Sequence, residues 1–394
     1  MLPSSSSVAS RPRRGSVSES AATTTTTHPT GGTDGSEPSG VPIVLDGVTK
    51  KYPGTDGAAV DDIHLEIAPG DIVMLVGPSG CGKTTTMRMI NRLIEPTSGR
   101  ILIDGEDVLS LNDVKLRRTI GYVIQQIGLF PHLTIEANVA MVPRLLGWDK
   151  AKISERVEEM LSVVGLDPAE FAHRYPRQLS GGQQQRVGVA RALAADPPIM
   201  LMDEPFGAVD PITRTKLQDE FLNVQQQIKK TIVFVTHDFD EAVKMGDKIA
   251  VLDKGSRIAQ YATPEEILTS PADVFVEGFV GHGATLKRLQ LERLDTLDLH
   301  SPDGAQQGVE PLPMRSTLHD VLDAMIADGL DIVPVERDGQ VVGTVTLEDL
   351  LGRVRELRAE ADAKKGTTTS ESRPGATPGT TPDLDAGSGQ ESRP

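Results

Sequence analysis

The sequence predicts an α/β fold in which buried parallel strands alternate with helices that pack on the sheet. Short, nearly continuous apolar runs indicate strands that are buried on both faces. Four such runs occur: IVMLV at 72–76, IMLM at 199–202, IVFV at 232–235 and KIAVL at 248–252. Helices are predicted between the strands; Met87, Ile90 and Ile94, for example, recur at the spacing of one helix face.

Composition divides the chain into four segments. Residues 1–40 and 361–394 consist largely of Ser, Thr, Gly and Pro, so they cannot bury enough apolar surface to offset the entropy of ordering. We predict both as disordered tails. The α/β pattern occupies residues 41–283, and a smaller second block occupies residues 284–360.

The composition also excludes several classes of function. Lys and Arg total 40 against 56 Asp and Glu, and the resulting net charge of −16 argues against nucleic acid as a partner. The longest apolar runs are about a quarter of the roughly 20 residues that a membrane-spanning helix needs. The N-terminus has no apolar segment of the secretory type. A single cysteine, Cys81, allows no internal disulfide and is typical of a reducing compartment.

A glycine-rich loop follows the strand at 72–76 and opens a helix. Its sequence, GPSGCGKTT, fits the pattern of a phosphate loop, in which glycines allow backbone N–H groups to surround a phosphate. Lys83 adds a positive charge, and the Thr84 hydroxyl is suited to bind Mg²⁺. We therefore predict ATP and Mg²⁺ as cofactors. The candidate ATP-binding residues of the loop are Gly77, Pro78, Ser79, Gly80, Cys81, Gly82, Lys83, Thr84 and Thr85.

An acidic pair ends the apolar run at 199–202. Asp203 would lie at the carboxyl edge of the sheet, where it could hold the metal ion with its water shell. Glu204 could orient and deprotonate an attacking water. In isolation such a pair is as often a solvated strand end; the phosphate loop in the same chain favours the catalytic interpretation.

The segment LSGGQQQRVGVARAL at 179–193 resembles the signature of ABC-type ATPases. The order of the other motifs agrees with this resemblance: Tyr52, the phosphate loop, Gln125, the signature, Asp203 with Glu204, Asp210 in GAVD, and His237 in VTHD. The resemblance implies a P-loop NTPase of ABC type with an antiparallel β subdomain and a helical subdomain.

The resemblance also implies roles for single residues in the nucleotide site. Glu204, His237 and Gln125 would be catalytic, with His237 hydrogen-bonded to the γ-phosphate and Gln125 near the metal and the water. Thr84, Gln125 and Asp203 would hold Mg²⁺. Tyr52 would stack on the adenine, although a tyrosine after a strand is also compatible with simple packing.

A dimer is a further implication of the resemblance. In this family two cassettes pack head to tail, and the signature of one closes over the ATP that the other holds. Asp210 would link the two sites through the D-loop, in which Gly207 stands where the family usually has Ser. The signature residues acting across the dimer would be Leu179, Ser180, Gly181, Gly182 and Gln183.

A dimerising ATPase whose sequence predicts no membrane segment would drive separate membrane proteins. The expected partners are a second ATPase subunit, integral-membrane permease subunits and an extracytoplasmic substrate-binding protein, with this chain peripheral on the cytoplasmic face of the membrane. The segments at 87–105 and 121–135 resemble importers of quaternary-amine osmoprotectants such as glycine betaine, carnitine, choline and proline. Alternatives are an importer of amino acids or polyamines, or a soluble ABC ATPase unconnected with transport.

The second block contains a pattern of its own. Residues 317–351 are predicted as helix, strand, turn, strand and helix, and this order resembles a CBS motif in a small α+β module. Gly343, Thr346 and Asp349 match positions that contact an adenine nucleotide in some CBS modules. Such modules usually work in pairs, and the sequence has one good copy. It would therefore either sense a ligand or ionic strength, or stabilise a dimer by packing.

Overall fold

Three sheets lie in the part of the chain that the computed structural model describes, namely residues 39–124, 128–207, 209–281, 283–304 and 308–368. The predicted tails lie largely outside these ranges, and so does Gln125.

The strands, in chain order, are β1 Ile43–Lys51, β2 Ala58–Ile67, β3 Ile72–Val76, β4 Ser98–Ile103, β5 Glu106–Asp107, β6 Ile120–Val123, β7 Ile199–Asp203, β8 Thr231–Val235, β9 Lys248–Leu252, β10 Ile258–Ala262, β11 Leu312–Pro313, β12 Ile332–Arg337 and β13 Gln340–Thr346. The helices are α1 Lys83–Ile90, α2 Asp113–Arg118, α3 Ile135–Val139, α4 Met141–Leu145, α5 Lys150–Val163, α6 Pro168–Phe171, α7 Gly181–Leu193, α8 Pro211–Ile228, α9 Phe239–Met245, α10 Pro264–Thr269, α11 Val274–Val280, α12 Ala284–Arg288, α13 Leu318–Asp328 and α14 Leu347–Thr368.

The central sheet has the strand order β10-β9-β3-β8-β7-β6, and all neighbours are parallel except β10 and β9. The four apolar runs of the sequence form β3, β7, β8 and β9, so the prediction of a parallel sheet is confirmed. Alternate residues of β3 enter different cores: Val73 and Leu75 join one hydrophobic cluster, whereas Ile72 and Met74 join another. Apolar side chains at every position are therefore required, because both faces are covered.

An antiparallel sheet and a group of helices complete the α/β fold. The antiparallel sheet has the order β2-β1-β4-β5 and shares its hydrophobic cluster with α1 and one face of the central sheet. Helices α3 to α7 lie between β6 and β7 in the chain, and α3, α5, α6 and α7 join the hydrophobic cluster on the other face. The predicted ABC-type arrangement of an antiparallel and a helical part is thus confirmed.

The C-terminal part has a third hydrophobic cluster, which includes Leu289, Leu318, Val333, Val345 and Leu357. Its sheet has the order β11-β12-β13, flanked by α13 and α14. The predicted order of helix, strand, turn, strand and helix is therefore observed. Its resemblance to a CBS motif stays a prediction.

Described residues extend a short way into both segments that composition predicts as tails. Helix α14 continues past residue 360 to Thr368, and this stretch contains two alanines and two lysines, which are strong helix formers. At the other end Gly40 is buried, and its N–H donates to the Lys229 carbonyl at 3.0 Å. Within the described residues, no helix is long and apolar enough to cross a membrane.

Candidate functional site

The phosphate loop lies between the end of β3 and the start of α1, as the sequence predicts. Gly77, Gly80 and Gly82 have φ angles of 152°, 81° and 114°, which residues other than glycine rarely adopt. Pro78 and Ser79 are exposed at the mouth of the loop. The loop backbone therefore has the curvature that a bound phosphate requires.

Close contacts hold the loop against β9 and the segment that follows it. A Cβ at Gly77 would lie 2.2 Å from the Leu252 carbonyl oxygen. The Cys81 carbonyl accepts hydrogen bonds from the backbone N of Ser256 at 2.6 Å and from its Oγ at 3.0 Å. Cys81 itself is 2% exposed, so its part in the loop is structural packing and backbone geometry.

Replacement of Gly82 by Ala should destabilise the loop and lower the melting temperature by several degrees. The new Cβ would lie 2.1 Å from Ser256 Oγ and 2.5 Å from the Ala59 carbonyl oxygen. Thermal unfolding of Gly352→Ala provides the control, because that position is helical and open, so alanine should be neutral or stabilising there. Equal melting temperatures for the two variants would contradict the predicted crowding at Gly82.

Lys83 is nearly buried at 8% exposure and points back over the loop. Its Nζ donates to the Gly77 carbonyl at 2.7 Å and to the Pro78 carbonyl at 3.2 Å. The ammonium group thus lies on the inner side of the glycine-rich curve, where a phosphate would replace these carbonyls as the stronger acceptor.

Thr84 and Asp203 meet at the carboxyl edge of the central sheet. Thr84 Oγ1 donates to Asp203 Oδ1 at 3.3 Å, although the two residues come from α1 and β7. Burial raises the pKa of Asp203 above its ordinary value, and the hydrogen bond from Thr84 partly opposes that shift. A hydroxyl and a desolvated carboxylate side by side are oxygen ligands that suit Mg²⁺.

Glu204 and His237 lie at the ends of the neighbouring strands β7 and β8. Glu204 Oε1 is 3.3 Å from His237 Nδ1, and the Glu204 N–H donates to the Val235 carbonyl at 2.9 Å. The φ angle of Glu204 is +47°, an uncommon conformation for a residue with a side chain. The structure therefore brings together two of the three predicted catalytic residues; the third, Gln125, lies outside the described ranges.

The signature forms a second helix end. Ser180 caps α7: its Oγ accepts from the Gln183 N–H at 3.3 Å, while Gln183 Oε1 accepts from the Ser180 N–H at 2.9 Å. Gly181 and Gly182 form the first turn, and a Cβ at Gly181 would meet nothing within 4 Å. This turn is accessible from outside, with Gly181 exposed and Gly182 half-buried.

Asp210 lies beside the signature. Its side chain caps α8 by accepting from the Thr213 N–H at 3.0 Å, and it lines one surface groove together with Ser180, Gly181 and Gly182. Leu179 is buried behind the helix end. The predicted signature and D-loop residues thus share one surface.

Tyr52 follows β1 directly and is 39% exposed, with Lys50 Nζ 5.3 Å from its ring centroid. The ring is therefore accessible for stacking.

Ser256 is a residue of the site that was not predicted from the sequence. It is fully buried and bonded to the phosphate loop, and the only local signal was a turn-like KGS after β9.

The three candidate nucleotide contacts of the C-terminal part lie close to one another and to residues 299 and 300. A Cβ at Gly343 would lie 2.7 Å from Leu299 Cβ. Asp349 Oδ2 accepts from Thr346 Oγ1 at 2.6 Å and lies 2.9 Å from His300 Nε2. Partial burial alone would raise the pKa of Asp349, but hydrogen bonds from Thr346 and His300 outweigh it and lower that pKa. These contacts within the chain hold residues 299 and 300 against β13 and the start of α14.

A phosphate loop after a parallel strand, an acidic pair on a neighbouring strand and a second open helix end define a nucleotide-binding ATPase cassette. Residues 60–207 match the model of the ABC transporter family. The chain is 51% identical over 306 residues to the osmoprotectant import ATP-binding protein OsmV of Salmonella typhimurium, covering 77% of this chain and 78% of the relative. The chain belongs to the family of ABC transporter ATP-binding proteins.

Other relatives have related names. The glycine betaine/carnitine/choline transport ATP-binding protein OpuCA of Bacillus subtilis is 56% identical over 261 residues, which cover 66% of this chain and 68% of the relative. Among solved structures, the dimeric MJ0796, a bacterial ABC transporter cassette, matches with a TM-score of 0.52 and 38% identity over 56% of this chain and 98% of that chain. The same cassette is also known as a dimer in a post-hydrolysis state bound to ADP and Pi, at 37% identity and a TM-score of 0.52 over the same shares of the two chains.

Proposed function

We propose that this chain is the ATP-hydrolysing subunit of an ABC importer for glycine betaine or a related quaternary-amine osmoprotectant. The names of the relatives support the cargo class, since they include osmoprotectant import and glycine betaine, carnitine and choline transport. The cargo itself would pass through other subunits, so the residues of this chain act on ATP.

The observation that carries the ATPase function is the 3.3 Å approach of Glu204 Oε1 to His237 Nδ1 at the carboxyl end of two parallel strands. In our proposal Glu204 accepts the proton of the attacking water, and His237 hydrogen-bonds the γ-phosphate. An oriented general base contributes typically about 10²- to 10⁴-fold to the rate.

The remaining ATP contacts follow from the same edge of the sheet. Lys83 and the loop N–H groups would bind the β- and γ-phosphates, and Tyr52 would stack on the adenine. Thr84 and Asp203, with Gln125, would hold Mg²⁺. When bound, this ion neutralises charge on the phosphates.

The dimer would complete each site. The open first turn of α7 is suited to an anion, because its N–H groups and the helix dipole favour negative charge. We infer that it binds the γ-phosphate held by the partner subunit and that Asp210 contacts the partner. Loss of the γ-phosphate on hydrolysis would remove this shared contact and allow the dimer to open.

We further propose that this dimer sits on the cytoplasmic face of the membrane and drives integral-membrane permease subunits, which receive cargo from an extracytoplasmic substrate-binding protein. The negative net charge of −16 supports protein partners over nucleic acid.

Uptake by the intact complex tests the cargo. Cells that lack their own betaine uptake and express this chain with its permease should accumulate radiolabelled glycine betaine, carnitine, choline or proline. The same cells with Glu204→Gln should not. Uptake of amino acids or polyamines instead would replace the proposed cargo, and failure to copurify with any permease would favour a soluble ATPase.

A further inference from the structure

The side chain of Lys287, in α12, contacts the helix that follows His237. Lys287 Nζ lies 2.7 Å from Asp240 Oδ1 and 5.3 Å from the centroid of the Phe239 ring, and it donates to the Val280 carbonyl at 3.1 Å. Phe239 and Asp240 form the first turn of α9. A cation held by a carboxylate and an aromatic face at the same time is fixed relative to that turn.

The next residue, Arg288, contacts the C-terminal part of the chain. It is 3% exposed, and its guanidinium donates to the Leu357 carbonyl and, at 2.8 Å, to Glu360 Oε2, both in α14. Glu265 Oε1, in α10, lies 3.6 Å away. Because a buried charge that loses its partners is strongly destabilising, α12 and α14 are expected to move together.

Both ends of α12 are embedded in hydrophobic clusters. Leu289, directly after the helix, is fully buried in the C-terminal cluster, whereas Ala284, its first residue, packs against the larger cluster of the ATPase part. Phe279 adds a second contact to α9. The centroid of its ring lies 6.0 Å from the centroid of the Phe239 ring, in an edge-to-face arrangement. One turn of helix therefore connects the C-terminal cluster to the start of α9.

The start of α9 controls where His237 lies. Only Thr236, His237 and Asp238 separate the end of β8 from α9, and Asp238 caps the helix. A rotation of α9 would therefore shift His237 relative to Glu204, and a displacement of about 1 Å in a catalytic group can lower a rate about 10²-fold.

We propose that Lys287 is a positioning residue for ATP hydrolysis, through which residues 284–368 control the placement of His237. The inference rests on the proposed role of His237 at the γ-phosphate. Lys287 does not belong to the nucleotide site, so its effect should fall on the hydrolysis step and not on ATP affinity.

The test measures ATP hydrolysis by the full chain carrying Lys287→Met, which removes the charge and keeps the unbranched stem. We expect kcat to fall about fivefold, the effect of losing one cation–π contact and ion pair, with KM for ATP unchanged. Lys287→Arg should restore most of the rate, since a guanidinium can pair with Asp240 and stack on Phe239.

Two further variants separate positioning from general damage. Asp240→Asn removes the ion pair but keeps the cation–π contact, so it should lower kcat in the same direction but by less than Lys287→Met. A wild-type rate in a folded Asp240→Asn or Lys287→Met would overturn the proposal. Lys244→Met is the matched control. Its Nζ is also 2.7 Å from a carboxylate, Asp219 of α8, but it lies at the far end of α9, so kcat should stay within about twofold of wild type. An equal loss in Lys244→Met would also overturn the proposal.

Glu360→Gln tests whether the C-terminal part acts through Lys287. Weakening the contact of α14 with Arg288 should change kcat in the wild-type background and have no further effect in Lys287→Met, whereas independent effects would contradict transmission through α12. His237→Ala separates the proposed role of His237 from that of Lys287. If it hydrolyses ATP normally, the proposed role of His237 fails; if it is inactive while Lys287→Met is normal, only the present inference fails.

Discussion

Replacement of Glu204 by Gln should abolish steady-state ATP hydrolysis while ATP binding is retained. Gln has nearly the same shape but cannot accept the proton of the attacking water, so the expected loss of kcat is about 10²- to 10⁴-fold. ATP that cannot be hydrolysed should keep two subunits together. Phosphate release and size-exclusion chromatography with saturating ATP and Mg²⁺ measure both effects.

Glu155→Gln is the matched control, because Glu155 is an exposed glutamate of α5. This variant should hydrolyse ATP at the wild-type rate. Hydrolysis near the wild-type rate by Glu204→Gln would show that Glu204 is not the base. A Glu204→Gln protein that binds ATP but remains monomeric would contradict the dimer.

Replacement of Lys83 by Ala should weaken ATP binding about 10- to 100-fold. A hydrogen bond that involves a charged group contributes about 1.5–3 kcal/mol, and each 1.4 kcal/mol corresponds to a tenfold change in affinity. The Lys83 ammonium lies over the carbonyls of Gly77 and Pro78, inside the loop, so water cannot readily take its place. Equilibrium titration with a fluorescent ATP analogue measures the loss.

Lys216→Ala removes an exposed lysine of α8 and controls for the change in net charge. Its affinity for ATP should equal that of the wild type. Equal affinities for Lys83→Ala and the wild type would mean that the glycine-rich loop binds phosphate through its backbone alone.

Features that depend only on residues close together in the chain could be predicted from the sequence. The parallel strands were predictable because a strand covered on both faces needs apolar side chains at every position, as in β3. The phosphate loop and the capped start of α7 were predictable for a similar reason: the positive φ of Gly82 and the cap that Ser180 forms are set within one turn of the chain. Helix α14 runs to Thr368, into the segment that composition predicts as a tail, because the first residues of that segment include helix-forming alanines and lysines.

Contacts between distant segments could not be derived in this way. The resemblance to ABC-type ATPases implied that Glu204 and His237 act together, but no spacing in the sequence shows that β7 and β8 are neighbours or that the two side chains approach to 3.3 Å. The bond of Ser256 to the Cys81 carbonyl is of the same kind. The same applies to the nucleotide-contact pattern of the C-terminal part, where His300 and Thr346 are the observed partners of Asp349.

The sequence by itself determined the class of fold, the phosphate loop and the residue types of the catalytic edge, because these follow from local backbone preference and from the burial of short segments. The tertiary structure alone decided which strands are neighbours, which side chains meet across them, and that Lys287 and Arg288 join the C-terminal part to the helix after His237. Such contacts depend on how whole elements pack, and packing between elements far apart in the chain leaves no periodic signal in the sequence.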